Sequence, residues 1–147
     1  MSAMLTQTEA DRLIAMAKLL EDPPAAILFP QPGEKLELGL VSTDRRERLI
    51  ADVNRGRIRL TKCTFQERDP RVTVLLRLDL DGPPHENPDG TVLPCPHLHM
   101  YREGWWDKWA IPAPPALCST SNLTDVFREF LVYCNVQAVP PVQRALI

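Results

Sequence analysis

The three histidines, His85, His97 and His99, fall within fifteen positions of one another. In the run Cys95-Pro96-His97-Leu98-His99-Met100-Tyr101, the residues that can do chemistry recur with a period of two. If that run is extended, Cys95, His97, His99 and Tyr101 share one face, while Leu98 and Met100 take the other. Two imidazoles and a phenol are then presented side by side on a strand anchored by apolar residues. Prolines flank Cys95 on both sides, so its place in such a strand is open.

Paired imidazoles support three chemistries. Histidine titrates near neutrality, so one ring can act as general base while its neighbour acts as general acid. Cleavage of RNA by its own 2′-hydroxyl needs that division of labour, together with a cation to steady the phosphate charge. Alternatively, His-x-His on a strand brings two nitrogens to one metal ion. His85, Cys95 or a carboxylate from Asp79, Asp81, Glu86 or Asp89 would complete the shell. The third reading is structural: imidazoles hydrogen-bonded within a polar core or exposed as a surface pair. The chain has no Gly-rich phosphate loop, no Gly-x-Ser-x-Gly elbow and no His-Glu-x-x-His helix.

Charge points modestly to an anionic partner. Between Asp44 and Arg71 stand nine basic and five acidic residues, against a whole-chain net charge of −2. Arg55, Arg57 and Arg59 alternate and can form a ridge for phosphates. The segment Arg102-Glu103-Gly104-Trp105-Trp106-Asp107-Lys108-Trp109 follows the histidines directly. Its tryptophans either cover a small core or offer stacking surfaces for bases.

The elements that must position these groups are legible in outline. The chain has 147 residues, of which 44% are hydrophobic and 24% charged, as expected of one domain able to bury a core. A first helix is predicted from a Thr8 cap, with Leu13, Ile14, Ala17 and Leu20 on one face, ending before Pro23 and Pro24. Residues 25–35 read as a connector. Leu36, Leu38 and Leu40 alternate as a short strand. Arg46 to Val53 and Ile58 to Phe65 read as a β-hairpin around Asn54-Arg55-Gly56. Val72 to Leu80 is the clearest strand, with Thr73, Arg77 and Asp79 on its wet face.

Residues 81–94 form a long loop rich in turn formers, able to deliver His85 to the histidine strand. After that strand, residues 102–120 are Trp- and Pro-rich and irregular. A final helix is capped by Asn122 or Thr124 and buries Phe127, Phe130, Leu131 and Cys134. The expected fold is therefore a single α+β domain over 1–147. It has an antiparallel sheet of four to five strands, with an N-terminal and a C-terminal helix packed on one face.

No segment approaches the length of a membrane span, and Glu9, Asp11, Arg12 and Lys18 are unlike a secretory leader. With four widely spaced cysteines and no Cys-x-x-Cys pair, reduced thiols in a cytoplasm are expected.

The motifs Asn54-Arg55-Gly56-Arg57-Ile58, Gly82-Pro83-Pro84-His85, Asn87-Pro88-Asp89-Gly90, Pro96 to Gly104, Asp107-Lys108-Trp109-Ala110 and Tyr133-Cys134-Asn135 cover roughly positions 50 to 136. In these the chain resembles small uncharacterised bacterial proteins carried near phage and mobile-element genes. The resemblance implies a context and no reaction. The chain is also similar at two positions to the histidine-triad nucleotide hydrolases, whose core is His-x-His-x-His. Tyr101 stands where their third histidine would be, so the nucleophile of that family is missing.

The resulting expectation is a small RNA-cleaving protein of the toxin type that works without metal or other cofactor. His97 and His99 form its acid–base pair. Tyr101 orients a ring or the substrate, and His85 joins from the loop. Arg57, Arg77 or Lys108 meets the phosphate. RNA and a cognate protein inhibitor or target are the expected partners. Two alternatives stand beside it: an interaction module that uses the Trp-rich loop and the Arg ridge, and a His/Cys metal site.

Overall fold

The computed structural model describes residues 4–71 and 73–144. Helix α1 (Gln7–Ala15) is followed by β1 (Lys18–Leu20), β2 (Ile27–Phe29), β3 (Lys35–Ser42), β4 (Arg48–Arg55), β5 (Cys63–Arg68) and β6 (Val74–Asp79). Then come β7 (His85–Glu86), β8 (Val92–Leu93), β9 (His97–Met100), β10 (Ala110–Pro112), a 3-10 turn (Pro115–Leu117), α2 (Leu123–Tyr133) and β11 (Val142–Arg144). One antiparallel seven-stranded sheet runs β1-β3-β4-β5-β6-β9-β10. The β7–β8 hairpin and a parallel β2–β11 pair stand apart from it. The fold is α+β, with a helix from each end of the chain. No helix among the described residues is long and apolar enough to cross a membrane.

The sheet has two different faces because its central strands alternate. In β5, Cys63, Phe65 and Glu67 are buried, while Thr64, Gln66 and Arg68 are half-exposed. The register sets Phe65 beside Leu78 and Leu78 beside Leu98, so one apolar row crosses three strands. Phe127 and Phe130 of α2 pack on Phe65, at ring-centroid distances of 5.0 and 5.9 Å. Ala10 and Leu13 of α1 join the same core. Both helices therefore cover the apolar face and leave the polar face to the loops.

Several boundaries differ from the sequence reading. Helix α1 is capped by Thr6, whose Oγ1 accepts from the Glu9 amide, and not by Thr8. It ends at Ala15 although its apolar spacing runs on to Leu20. The next residues are captured as a strand by β3, and the Lys18 amide bonds the Asn135 carbonyl. The returning strand of the hairpin starts only at Cys63, because Gly56 N–H closes a loop onto the Lys62 carbonyl at 2.8 Å. The clearest strand begins at Val74, and Val72 lies outside the described residues. The sheet gains β1 and β10 beyond the four to five strands expected. Each is three residues long, too short to show a period. Residues 25–35 likewise contain β2, and 81–94 contain β7 and β8.

Inside the core sits a fully buried ion pair. Lys18 Nζ donates to the carbonyls of Ile14 (3.0 Å) and Cys134 (2.7 Å), at the ends of the two helices. It also lies 3.1 Å from Glu67 Oε2, an ion pair by distance that lacks hydrogen-bond alignment. Burial pushes the Glu67 carboxyl up to about 7, against the pull of Lys18. An ammonium at two helix C-termini also complements both macrodipoles. Replacing Lys18 by Met should cost about 3–5 kcal/mol in denaturant unfolding, since it strands a buried carboxylate. Adding Glu67→Leu should recover part of that loss. The double-mutant cycle should then show non-additivity of about 0.5–3 kcal/mol.

Tyr101 belongs to this core as well. It is buried, its hydroxyl donates to the Leu5 carbonyl at 2.5 Å, and its ring meets Trp106 edge-on. Tyr101→Phe should cost about 1 kcal/mol of unfolding free energy, the net worth of one hydrogen bond.

Candidate functional site

The polar face of β6 and β9 carries the chemistry. Antiparallel register sets His97 opposite Asp79 and His99 opposite Arg77, with Thr64 and Gln66 of β5 next in the rows. All these side chains leave the sheet on the side away from the helices. His97 Nε2 and His99 Nε2 each lie 3.2 Å from the same atom, Asp79 Oδ2. His97 Nδ1 donates to the Pro94 carbonyl at 3.3 Å, and His99 Nδ1 to the Asp107 carbonyl at 2.8 Å. A carbonyl only accepts, so these contacts favour a ring hydrogen on Nδ1; Nε2 then holds a lone pair in the neutral ring and donates to Asp79 in the protonated one. With both rings neutral, two lone pairs and a carboxylate oxygen converge on one small volume, which calls for a cation.

Arg77 partly meets that demand. Its guanidinium lies 3.1 Å from His99 Nε2, 3.3 Å from Asp79 Oδ1 and 2.6 Å from Asp107 Oδ2. The Thr64 hydroxyl donates to Asp79 Oδ1 at 3.2 Å. Burial alone would raise the Asp79 carboxyl. The His99 hydrogen bond and the charges of Arg77 and the imidazoles outweigh it and hold the group at about 2. Burial, ahead of the opposing pull of Asp79, shifts His97 downward and favours its neutral ring. The Cys95 thiol is pushed up by burial and by Asp79 and Asp81, so it is a poor thiolate.

The β7–β8 hairpin brings in the third imidazole. His85 Nε2 bonds the Lys108 carbonyl at 2.8 Å. Its ring lies 4.5 Å from that of His99 and 5.7 Å from that of His97. The three rings border a cleft of about 450 Å³ that Arg77, Asp79, Lys62 and Cys95 also line. His97 and His99 are only 2% and 1% exposed, whereas His85 is half-buried.

Of the residues singled out in the sequence, His85, His97, His99 and Arg77 come together. Tyr101 does not, because the strand ends at Met100 and the phenol turns away to Leu5. Lys108 contributes its carbonyl, while its side chain is exposed and does not line the cleft. Arg57 leaves the site too. The loop lays it over Gly33, where a Cβ would stand 3.0 Å from Arg57 Nε and where φ is +83°. Arg59 is tied to Asp81, so the Arg ridge does not form on a strand. Asp79 was visible only as one of several available carboxylates. Asp107 carried no signal, since its role depends on a turn that folds back over β9.

The donor set of Asp79, His97 and His99 suits a metal. One ligand atom from each lies within 4.8 Å of the others. The two 3.2 Å separations from Asp79 Oδ2 match the roughly 3.3 Å edge of a tetrahedron with bonds of about 2.0 Å, the length of Zn–N and Zn–O bonds. The backbone carbonyls on both Nδ1 atoms are the outer partners that ligating histidines ordinarily have.

No curated protein and no solved structure matches the chain. Residues 5–136 match the model of a family of unknown function, DUF6978. The match runs from the approach to α1 to Val136, three residues beyond α2, and it takes in the whole seven-stranded sheet and the cleft. The chain belongs to DUF6978, a family of unknown function.

Proposed function

We propose that the chain is a divalent-metal-dependent phosphodiesterase that cleaves RNA, with Asp79, His97 and His99 holding the ion. One observation carries the reading: both Nε2 atoms face a single carboxylate oxygen while both Nδ1 atoms are tied to backbone carbonyls. Three protein ligands leave a fourth position, as hydrolytic zinc centres do. An ion held by these three residues would supply Lewis acidity to a phosphoryl oxygen. Arg77 and Lys62 supply positive charge for the phosphate from the cleft wall. His85, the least buried imidazole, is the group placed to move a proton. RNA is the favoured substrate because its 2′-hydroxyl is an internal nucleophile.

The metal-free pair is less well supported. An acid and a base must address two different substrate atoms, whereas these two nitrogens point at one carboxylate. The exposure of Trp105 (44%) and Trp106 (39%) favours a second reading, partner binding through the Trp loop.

Purified protein should contain one equivalent of zinc by elemental analysis, and His99→Ala should lose it. RNA cleavage should fall at least about a hundredfold with a chelator or with the His97→Ala/His99→Ala pair, and added zinc should restore only the chelated parent. Expression of the parent, and not of the double variant, should arrest growth. Cleavage that persists in chelator would return the site to the metal-free pair. No cleavage by zinc-loaded protein would remove the enzyme and leave the Trp surface.

A further inference from the structure

We infer that a second cavity, on the opposite side of the sheet from the histidines, binds an organic anion: a phosphate or carboxylate head on an apolar body. The inference is independent of the metal cleft. The cavity measures about 490 Å³, within the range of small-ligand sites, and lies where β2, β11 and the start of α2 meet. Phe29, Leu60 and Leu123 give it apolar walls, Thr124 gives it a hydroxyl, and Arg55 and Arg144 give it charge. Among the described residues, no acidic side chain lines it.

Arg55 is the telling residue. Its Nη1 donates to the Pro30 carbonyl at 3.0 Å, and its guanidinium carbon lies 5.4 Å from the centre of the Phe29 ring. The geometry is therefore held in place. Yet its Nε is buried with no acceptor. Arg12, Arg48, Arg59, Arg68 and Arg77 each hold a carboxylate. Among the described residues Arg55 has none, although it is half-buried. A desolvated guanidinium without a counter-ion is costly, and a planar donor fork matches a phosphate or carboxylate in two-point contact. An anion entering this cavity supplies the missing counter-charge to the guanidinium. The aromatic and aliphatic walls then take the remainder of the ligand.

The test is calorimetric titration of the full chain with phenyl phosphate, phenylacetate and inorganic phosphate, each in chelator so that no ion in the histidine cleft captures the head group. Saturable binding at one site per chain is expected for phenyl phosphate or phenylacetate, with inorganic phosphate at least tenfold weaker. Arg55→Lys should weaken binding at least fivefold, because it keeps the charge and removes the fork. Should that variant not fold, Arg144→Ala alters only an exposed side chain on β11 and should also weaken binding at least fivefold. Absence of saturable binding by both aromatic anions overturns the inference. So does inorganic phosphate binding as tightly as they do, or unchanged affinity in the folded variants.

Discussion

The register of β9 against β6 is the constraint on which the site depends. Strand side chains alternate with a period of two, so a slip of one residue would turn every group to the other face. His97 stands beside Asp79 because Leu98 stands beside Leu78 and Met100 beside Leu76. Those apolar pairs are held in turn by Phe65 and by the helix α2 aromatics above it. The packing of the core thus sets the positions of polar groups that lie wholly outside it. A carboxylate, two imidazoles and a guanidinium reach one point through the pairing of two strands, with no dedicated loop to arrange them.

That pairing explains what could be read in the chain and what could not. The alternation over 74–79 and 97–100 is local, so the shared face of His97 and His99 and the wet face of Arg77 and Asp79 were legible. Which carboxylate met which imidazole was not, because a seventeen-residue connection, 80–96, separates the two runs and leaves their stagger free. Tyr101 shows the limit of periodicity from the other side. It obeys the period of two, but the strand stops one residue earlier, and a carbonyl at Leu5 offers its hydroxyl a better partner. Lys18 shows the override of helical spacing by tertiary contact. Its place as the last polar residue of an amphipathic run is outweighed by two helix-end carbonyls and a buried carboxylate.

The connection itself is more ordered than its composition of prolines, glycines and asparagines implied. Asn87 is buried, and its side-chain amide works as a substitute peptide. Nδ2 donates to the Ala110 carbonyl at 2.9 Å, and Oδ1 accepts from the Ala110 amide at 2.8 Å. The short edge strand β10 is thereby closed to further pairing, a protection that exposed edges need. The same clamp holds the β7–β8 hairpin down, and its neighbour His85 reaches the Lys108 carbonyl. The turn that reverses the chain thus also places the third imidazole.

Two polar clusters therefore sit on opposite faces of one sheet, and their difference separates structure from function. On the helix side, Lys18 donates to two carbonyls with the Glu67 carboxylate beside it at ion-pair distance, and the group is sealed from solvent. Its charges balance within the cluster, and nothing further can enter. On the cleft side, two imidazole lone pairs and Asp79 Oδ2 face one another with only part of a guanidinium between them. Buried polar groups are ordinarily satisfied. A set left short of positive charge, at the wall of an open cleft, is what the proposed ion would complete. The same reasoning distinguishes Arg55 from the ion-paired arginines of the sheet: its environment is built, and its counter-charge is the part not supplied by the described chain.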